Sequence, residues 1–184
     1  MHVLCALSLL TLIFLIITFM KTLKIFLAIM AIAVGTANAQ FIKAELQVSG
    51  LTCSMCSKAT EKSLRTLDFI SDIKPDLNRN IFIITFKNNA TVNFEKLSSK
   101  VQSAGFSVNT LKATYNFSNT TLSNDIFHYS GYSFHLVNAG TKPLSGPVAI
   151  TFVDKGFAPA SVAKKYNGMK PAVADSKKVY CVAI

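Results

Sequence analysis

From Lys43 to Val48 polar and apolar residues alternate one for one, the period of a half-buried strand, and Ser49-Gly50 ends the run. The period then changes. Cys56, Ala59, Thr60, Ser63, Leu64 and Leu67 recur at three- and four-residue intervals, which predicts a helix over residues 53–67 with one buried face. A second strand is expected from Phe69 to Ile73, turn residues from Asp76 to Asn80, and a strong third strand from Ile81 to Phe86, closed by Asn88-Asn89. Phe94, Leu97, Val101 and Ala104 mark a second helix that Gly105 stops, and residues 106–111 read as a fourth strand. Strand, helix, strand, strand, helix, strand is the order of an α+β, ferredoxin-like βαββαβ domain, with four antiparallel strands and both helices on one face. It fills residues 41–113.

Beyond Thr114 the pattern breaks into polar turns and short strand-like runs. Residues 132–137 and 148–153 read as strands separated by the turn-forming stretch 141–147, residues 160–166 as one short helix and residues 178–184 as a last strand. These features predict a second, β-rich module over residues 114–184, with a small barrel as its expected form. No internal repeat links it to the first.

The first 39 residues have another character, with no acid and only two lysines, Lys21 and Lys24. From Met20 a basic stretch precedes the apolar run Ile25 to Val34, and Ala37-Asn38-Ala39 supplies an Ala-x-Ala site, the layout of a secretory signal peptide cleaved after Ala39. A ten-residue run falls short of the about 20 residues a spanning helix needs. Residues 1–19 form a further apolar stretch ahead of this complete signal. Two accounts compete: a misassigned start with translation beginning at Met20, which is favoured, and a retained membrane hairpin. The expected location is therefore periplasmic or extracellular, with the membrane involved only during export.

Half the chain is apolar and only 15% charged, which excludes an intrinsically disordered protein. Seventeen of the nineteen basic residues and all nine acids lie beyond residue 39, leaving +8 on the processed chain. The lysines are scattered, with Lys164-Lys165 and Lys177-Lys178 the only adjacent pairs, and no basic stripe interleaved with aromatics appears. The charge therefore reads as a solubility and steering property, and nucleic acid is not an expected partner.

Of the four cysteines, Cys5 lies in the leading segment and Cys181 in an apolar strand, where a packed thiol is expected. Cys53 and Cys56 occupy a loop that leaves a strand and opens a helix, near unpaired N–H groups and the positive end of the helix dipole. That position favours thiolate over thiol. Two thiolates with no third strong ligand nearby suit a soft, low-coordination ion, Cu(I) or Hg(II), whereas structural zinc needs two more ligands. Thr52 rather than an acid before Cys53 points the same way.

Residues 43–111 resemble the heavy-metal-associated domain family, which includes copper chaperones, metal-binding domains of copper-transporting ATPases and periplasmic mercury-binding proteins. Gly50-Leu51-Thr52-Cys53-Ser54-Met55-Cys56 is similar to that family's Gly-Met-Thr-Cys-x-x-Cys loop, and Ala104-Gly105-Phe106 to its Ala-Gly-aromatic element after the second helix. The resemblance implies Cu(I) or another soft ion held by Cys53 and Cys56, with Leu51 and Phe106 packing beneath and beside the loop. It also implies a non-enzymatic role in buffering the ion or passing it to an envelope metal-transport or acceptor protein. Leu51 replaces the family's usual methionine but keeps an apolar side chain unbranched at Cβ. Met55, between the cysteines, is expected as an exposed or packed side chain rather than a ligand. Residues 114–184 lie outside the resemblance.

Two other chemistries fit a CxxC pair. One is a disulfide formed after export, and the other is thiol–disulfide redox activity of thioredoxin type. Against the second, the chain has no tryptophan and its element order fits the other fold. Mercuric-ion scavenging is the alternative soft-metal reading. His128 and His135 are expected as ordinary sheet residues, and Lys62 and Arg65 as a solvated helix face with a docking role for acidic partners as the sharper reading. Asn89-Ala90-Thr91, Asn116-Phe117-Ser118 and Asn119-Thr120-Thr121 match the N-glycosylation acceptor pattern.

Overall fold

The computed structural model describes residues 40–118, 120–138, 144–171 and 178–184. The signal-like segment, Cys5, the acceptor Asn119 and part of the turn at 141–147 lie outside the described residues. Residues 40–184 fall within one compact unit.

Strands β1 (Phe41–Ser49), β2 (Ile70–Asp76), β3 (Ile81–Phe86) and β4 (Ser107–Asn116), with helices α1 (Ser54–Leu64) and α2 (Phe94–Ser103), reproduce the expected βαββαβ order. Their sheet order is β2-β3-β1-β4 and every pairing is antiparallel. The alternation in β1 works as anticipated: Ala44, Leu46 and Val48 are buried while Lys43, Glu45 and Gln47 are not. In α1 the buried positions are Ser57, Thr60 and Leu64, and Ala59, expected inside, is exposed. The buried stripe runs through Ser57, Thr60 and Leu64, with Cys56 and Ser63 half-buried at its margin and Ala59 outside it. α2 carries Phe94, Leu97, Ser98 and Val101 inward. The two helices meet where Ser63 Oγ donates to the Lys100 carbonyl at 3.2 Å.

The sheet does not stop at residue 113. β4 runs through that position to Asn116, and β7 (Pro147–Phe152) pairs with its last five residues, Lys112 to Asn116. β8 (Val179–Ala183), β6 (Tyr132–Leu136) and β5 (Ile126–Tyr129) follow, giving eight strands in the order β2-β3-β1-β4-β7-β8-β6-β5. Helix α3 (Ala160–Tyr166) falls where the sequence places it. β5 was not expected: four residues, Ile126 to Tyr129, give too short an alternation to stand out.

The barrel expectation is corrected. The sheet is open, with β2 and β5 as its edges, but it curls strongly. Four strand spacings separate β1 from β6, which in a flat sheet is roughly 19 Å. Even so, the rings of Phe41 and Phe134 are 5.5 Å apart. The β5–β6 hairpin closes on the β3–α2 connection through side chains rather than strand pairing. Tyr129 Oη donates to the Ala90 carbonyl at 2.9 Å and accepts from the Val92 N–H at 3.2 Å. Phe94 sits inside the curl, with ring contacts to Phe41 and Phe86 on one side and Phe134, Phe152 and Tyr180 on the other.

Candidate metal centre

Gly50 makes the loop possible. Its φ of +88° lies in the region that only glycine enters freely, and it turns the chain out of β1. A Cβ here would meet the Phe106 ring at 3.5 Å, so Phe106 stands beside the loop as expected. Leu51 is 6% exposed and anchors the loop from below. Above it Thr52, Cys53, Ser54 and Met55 are exposed, and Cys56 is half-buried.

Cys53 is the N-cap of α1, with extended backbone angles, and its sulfur accepts the Cys56 N–H at 3.3 Å. The candidate ligand is therefore also the helix cap. No acid stands in the first turn, so the positive end of the helix dipole is left to the sulfurs. The two Sγ atoms are 2.9 Å apart and both thiols are free. Once one proton leaves, the remaining S–H of Cys56 donates to the Cys53 thiolate, and the Cys56 and Met55 N–H groups add to it. The Cys53 pKa is thereby lowered from its ordinary value. The same shared hydrogen bond, with burial and the neighbouring negative charge, pushes the Cys56 thiol up. The pair thus gives up its first proton easily and its second reluctantly, and a cation bound at both sulfurs takes the place of that second proton.

A shallow cavity of about 200 Å³ lies against Leu51, Thr52, Cys53, Ser54 and Ser57, and is walled on its far side by Leu77 and Asn80 of the β2–β3 turn. The sequence marks these two only as turn residues. What carries them to the loop is pairing: Gln47 opposes Ile81, and the Val48 N–H donates to the Asn80 carbonyl at 3.1 Å. Leu77 and Met55 are 53% and 76% exposed, large apolar side chains left in solvent near the thiols.

Other candidates separate from the loop. Among the described residues no group of three His, Cys, Asp or Glu side chains could hold a metal ion. His128 and His135 belong to one hairpin turned by Ser130-Gly131; His128 opposes Ser133 and bonds its hydroxyl at 2.9 Å, while His135 opposes Ile126. Arg65 is a strap rather than a free docking charge, held by Glu61 at 2.7 Å and Asp72 at 3.7 Å and donating to the Ile73 carbonyl at 2.7 Å. Lys62 is exposed. Cys181 is fully buried, as expected of a packed thiol.

Residues 45–107 match the family model of the heavy-metal-associated domain. The chain carries a heavy-metal-associated domain. Similar solved structures include the yeast copper transporter domain Ccc2a, in apo and Cu(I)-loaded states, with 25% identity over 36% of this chain and 90% of that one and a TM-score of 0.33. The oxidised MerP of Ralstonia metallidurans CH34 shares 25% identity over 39% of this chain and 97% of its own, with a TM-score of 0.32. For the CopZ metallochaperone the values are 20%, 36% and 97%, with a TM-score of 0.33. No curated protein matches the chain. Within the heavy-metal-associated domain the cysteine loop, Leu51 and Phe106 form one end, and the added strands β5 to β8 join at the other end of β4.

Proposed function

We propose that the heavy-metal-associated domain captures Cu(I) between Cys53 and Cys56 and passes it to a thiol-bearing acceptor in the cell envelope, without catalysing a reaction. The observation that carries this reading is a pair of exposed or half-exposed free thiols at a helix start, with no third protein ligand beside them among the described residues. Soft thiolates in so small a set select a soft ion over zinc, which takes four ligands in structural sites. An open site also lets an acceptor's thiolate add before Cys53 or Cys56 lets go, so the ion moves by ligand exchange. Binding requires the sulfurs to part from 2.9 Å. Two metal–sulfur bonds of about 2.3 Å in line would need roughly 4.6 Å. Cys53 is the more exposed of the two. Export through the signal-like segment, with cleavage after Ala39, completes the reading.

The test is stoichiometry on the reduced protein. One Cu(I) per chain is expected, with sulfur-to-copper bonds in X-ray absorption. Cys53→Ser and Cys56→Ser should each lose tight binding, while Cys181→Ser should keep it. Normal binding by both loop variants would sink the proposal. Tighter retention of Hg(II) than Cu(I) in competition would move the assignment to mercury, and reductase turnover without metal would move it to redox chemistry.

A further inference from the structure

Gln40 is the residue that cleavage after Ala39 would leave at the amino terminus, and the fold holds it firmly. Its backbone carbonyl accepts the Asn116 N–H at 2.9 Å, which ties it to the end of β4. Its side-chain Oε1 accepts the Asn89 N–H at 3.0 Å. Asn89 sits at φ +60° in the turn after β3, so that N–H is presented by a tight turn rather than by a strand ladder. The next residue, Phe41, is 2% exposed and packs against Phe94, Tyr115 and Tyr129. A new terminal ammonium would thus stand on a half-buried residue, one position before the aromatic core.

We infer that Gln40 is a modification site, converted after export to an amino-terminal pyroglutamate; the inference rests on the cleavage proposed above. The released α-amine attacks Cδ of its own side chain, forming an N–Cδ bond. The Cδ–Nε2 bond breaks, and Nε2 leaves as ammonia with the proton shed by the attacking nitrogen. Nothing is oxidised or reduced, and no co-reactant is consumed. Negative charge develops on Oε1 as the amine adds, and the Asn89 N–H already points at that atom, as a donor aimed at a developing oxyanion should. Oε1 survives as the lactam oxygen, so the product keeps an acceptor for the Asn89 N–H. The ammonium becomes a neutral N–H, and the terminus of the sheet is closed without a charge.

The experiment is to collect the processed protein from a host that exports it, and to read its intact mass and amino-terminal peptide beside a Gln40→Asn variant. A chain beginning at residue 40, one ammonia lighter than its sequence and blocked to amino-terminal sequencing, is expected. The Asn variant, whose side chain is too short to close the five-membered ring, should show full mass and a free amine. A Gln40 chain that keeps full mass and a free amine through prolonged incubation at neutral pH overturns the lactam and leaves the cleavage reading standing. A chain that begins elsewhere overturns both. A blocked Asn variant overturns the assignment to glutamine chemistry.

Discussion

Three cysteines among the described residues share a side chain and little else, because reactivity is set by what surrounds the sulfur. Cys53 is exposed, caps a helix and has its thiolate form favoured by the Cys56 S–H and N–H. Cys56 is held protonated by the same contact, and Cys181 by burial and the nearby Asp154 carboxylate, which push its thiol up to about 11. Alkylation of the reduced, metal-free protein at mildly alkaline pH should therefore mark Cys53 first, Cys56 second and Cys181 only on unfolding, in peptide mass maps. Labelling of Cys56 before Cys53 would contradict the account of the shared hydrogen bond. Cys181 also gives a stability prediction. Above the ordinary thiol value of 9.0 the unfolded chain sheds this proton, whereas the folded chain keeps it until about 11. The unfolded state then binds fewer protons than the native one, so stability falls as pH rises through that window, by on the order of 2 kcal/mol. Chemical denaturation at pH 8 and pH 11 should show a smaller fall for Cys181→Ala than for the unaltered chain.

At the scale of elements, the proposed metal ligand and the helix signal coincide in α1. Because Cys53 is both N-cap and proposed ligand, replacing it separates the two roles. Serine is among the best N-cap residues and alanine among the poor ones. Cys53→Ser should keep or raise thermal stability while losing Cu(I), and Cys53→Ala should lose Cu(I) and stand about 1 kcal/mol below the serine variant in denaturant unfolding. Equal stabilities would mean that the Cys53 cap contributes nothing to α1. This coincidence is also why so much of the site was legible in the sequence. A glycine that ends a strand, a buried Leu51 and two cysteines at a helix start are all local signals, and the alternation in β1 and the run Ile81 to Phe86 fixed the strands around them. Leu77 and Asn80 escaped because only the register of β3 on β1 brings the turn to the loop. The continuation of the sheet past residue 113 escaped for the same reason. β7 recognises β4 by pairing 31 to 39 positions away, which no local period records. Ala59 was misplaced because in a helix rich in small and polar residues the pattern does not single out one stripe, and the stripe through Ser57, Thr60 and Leu64 faces inward instead.

Over the whole molecule, the heavy-metal-associated domain and the strands that follow it divide by resemblance but not by core. Phe94 begins α2, an element of the metal-binding domain, yet three of its five ring partners, Phe134, Phe152 and Tyr180, come from β6, β7 and β8. Polar contacts make the same crossing. Ser98 Oγ donates to the Gly156 carbonyl at 2.9 Å, Tyr180 Oη to Glu95 at 3.1 Å, and Lys178 pairs with Glu95. The metal loop takes no part in this seam. Ser49 opposes Ser107 at the loop end of β4, whereas β7 joins β4 only from Lys112 onward. Removing the extra strands should therefore act on metal binding through folding alone. A chain ended after Asn116 leaves Phe41, Phe94 and Tyr115 facing water on one side, and losing one such aromatic contact set costs about 3–5 kcal/mol, a large part of a domain's total stability. The fragment is expected to aggregate or to unfold without cooperativity, seen as a lost thermal transition in circular dichroism and collapsed amide dispersion in NMR. Phe134→Ala in the full chain should lower the midpoint of unfolding yet still take up one Cu(I) in the cold, where the fold persists. A truncated chain that stays monomeric, dispersed and within a few degrees of the full chain's Tm would show that the shared aromatic core is dispensable, and that the metal-binding half stands by itself.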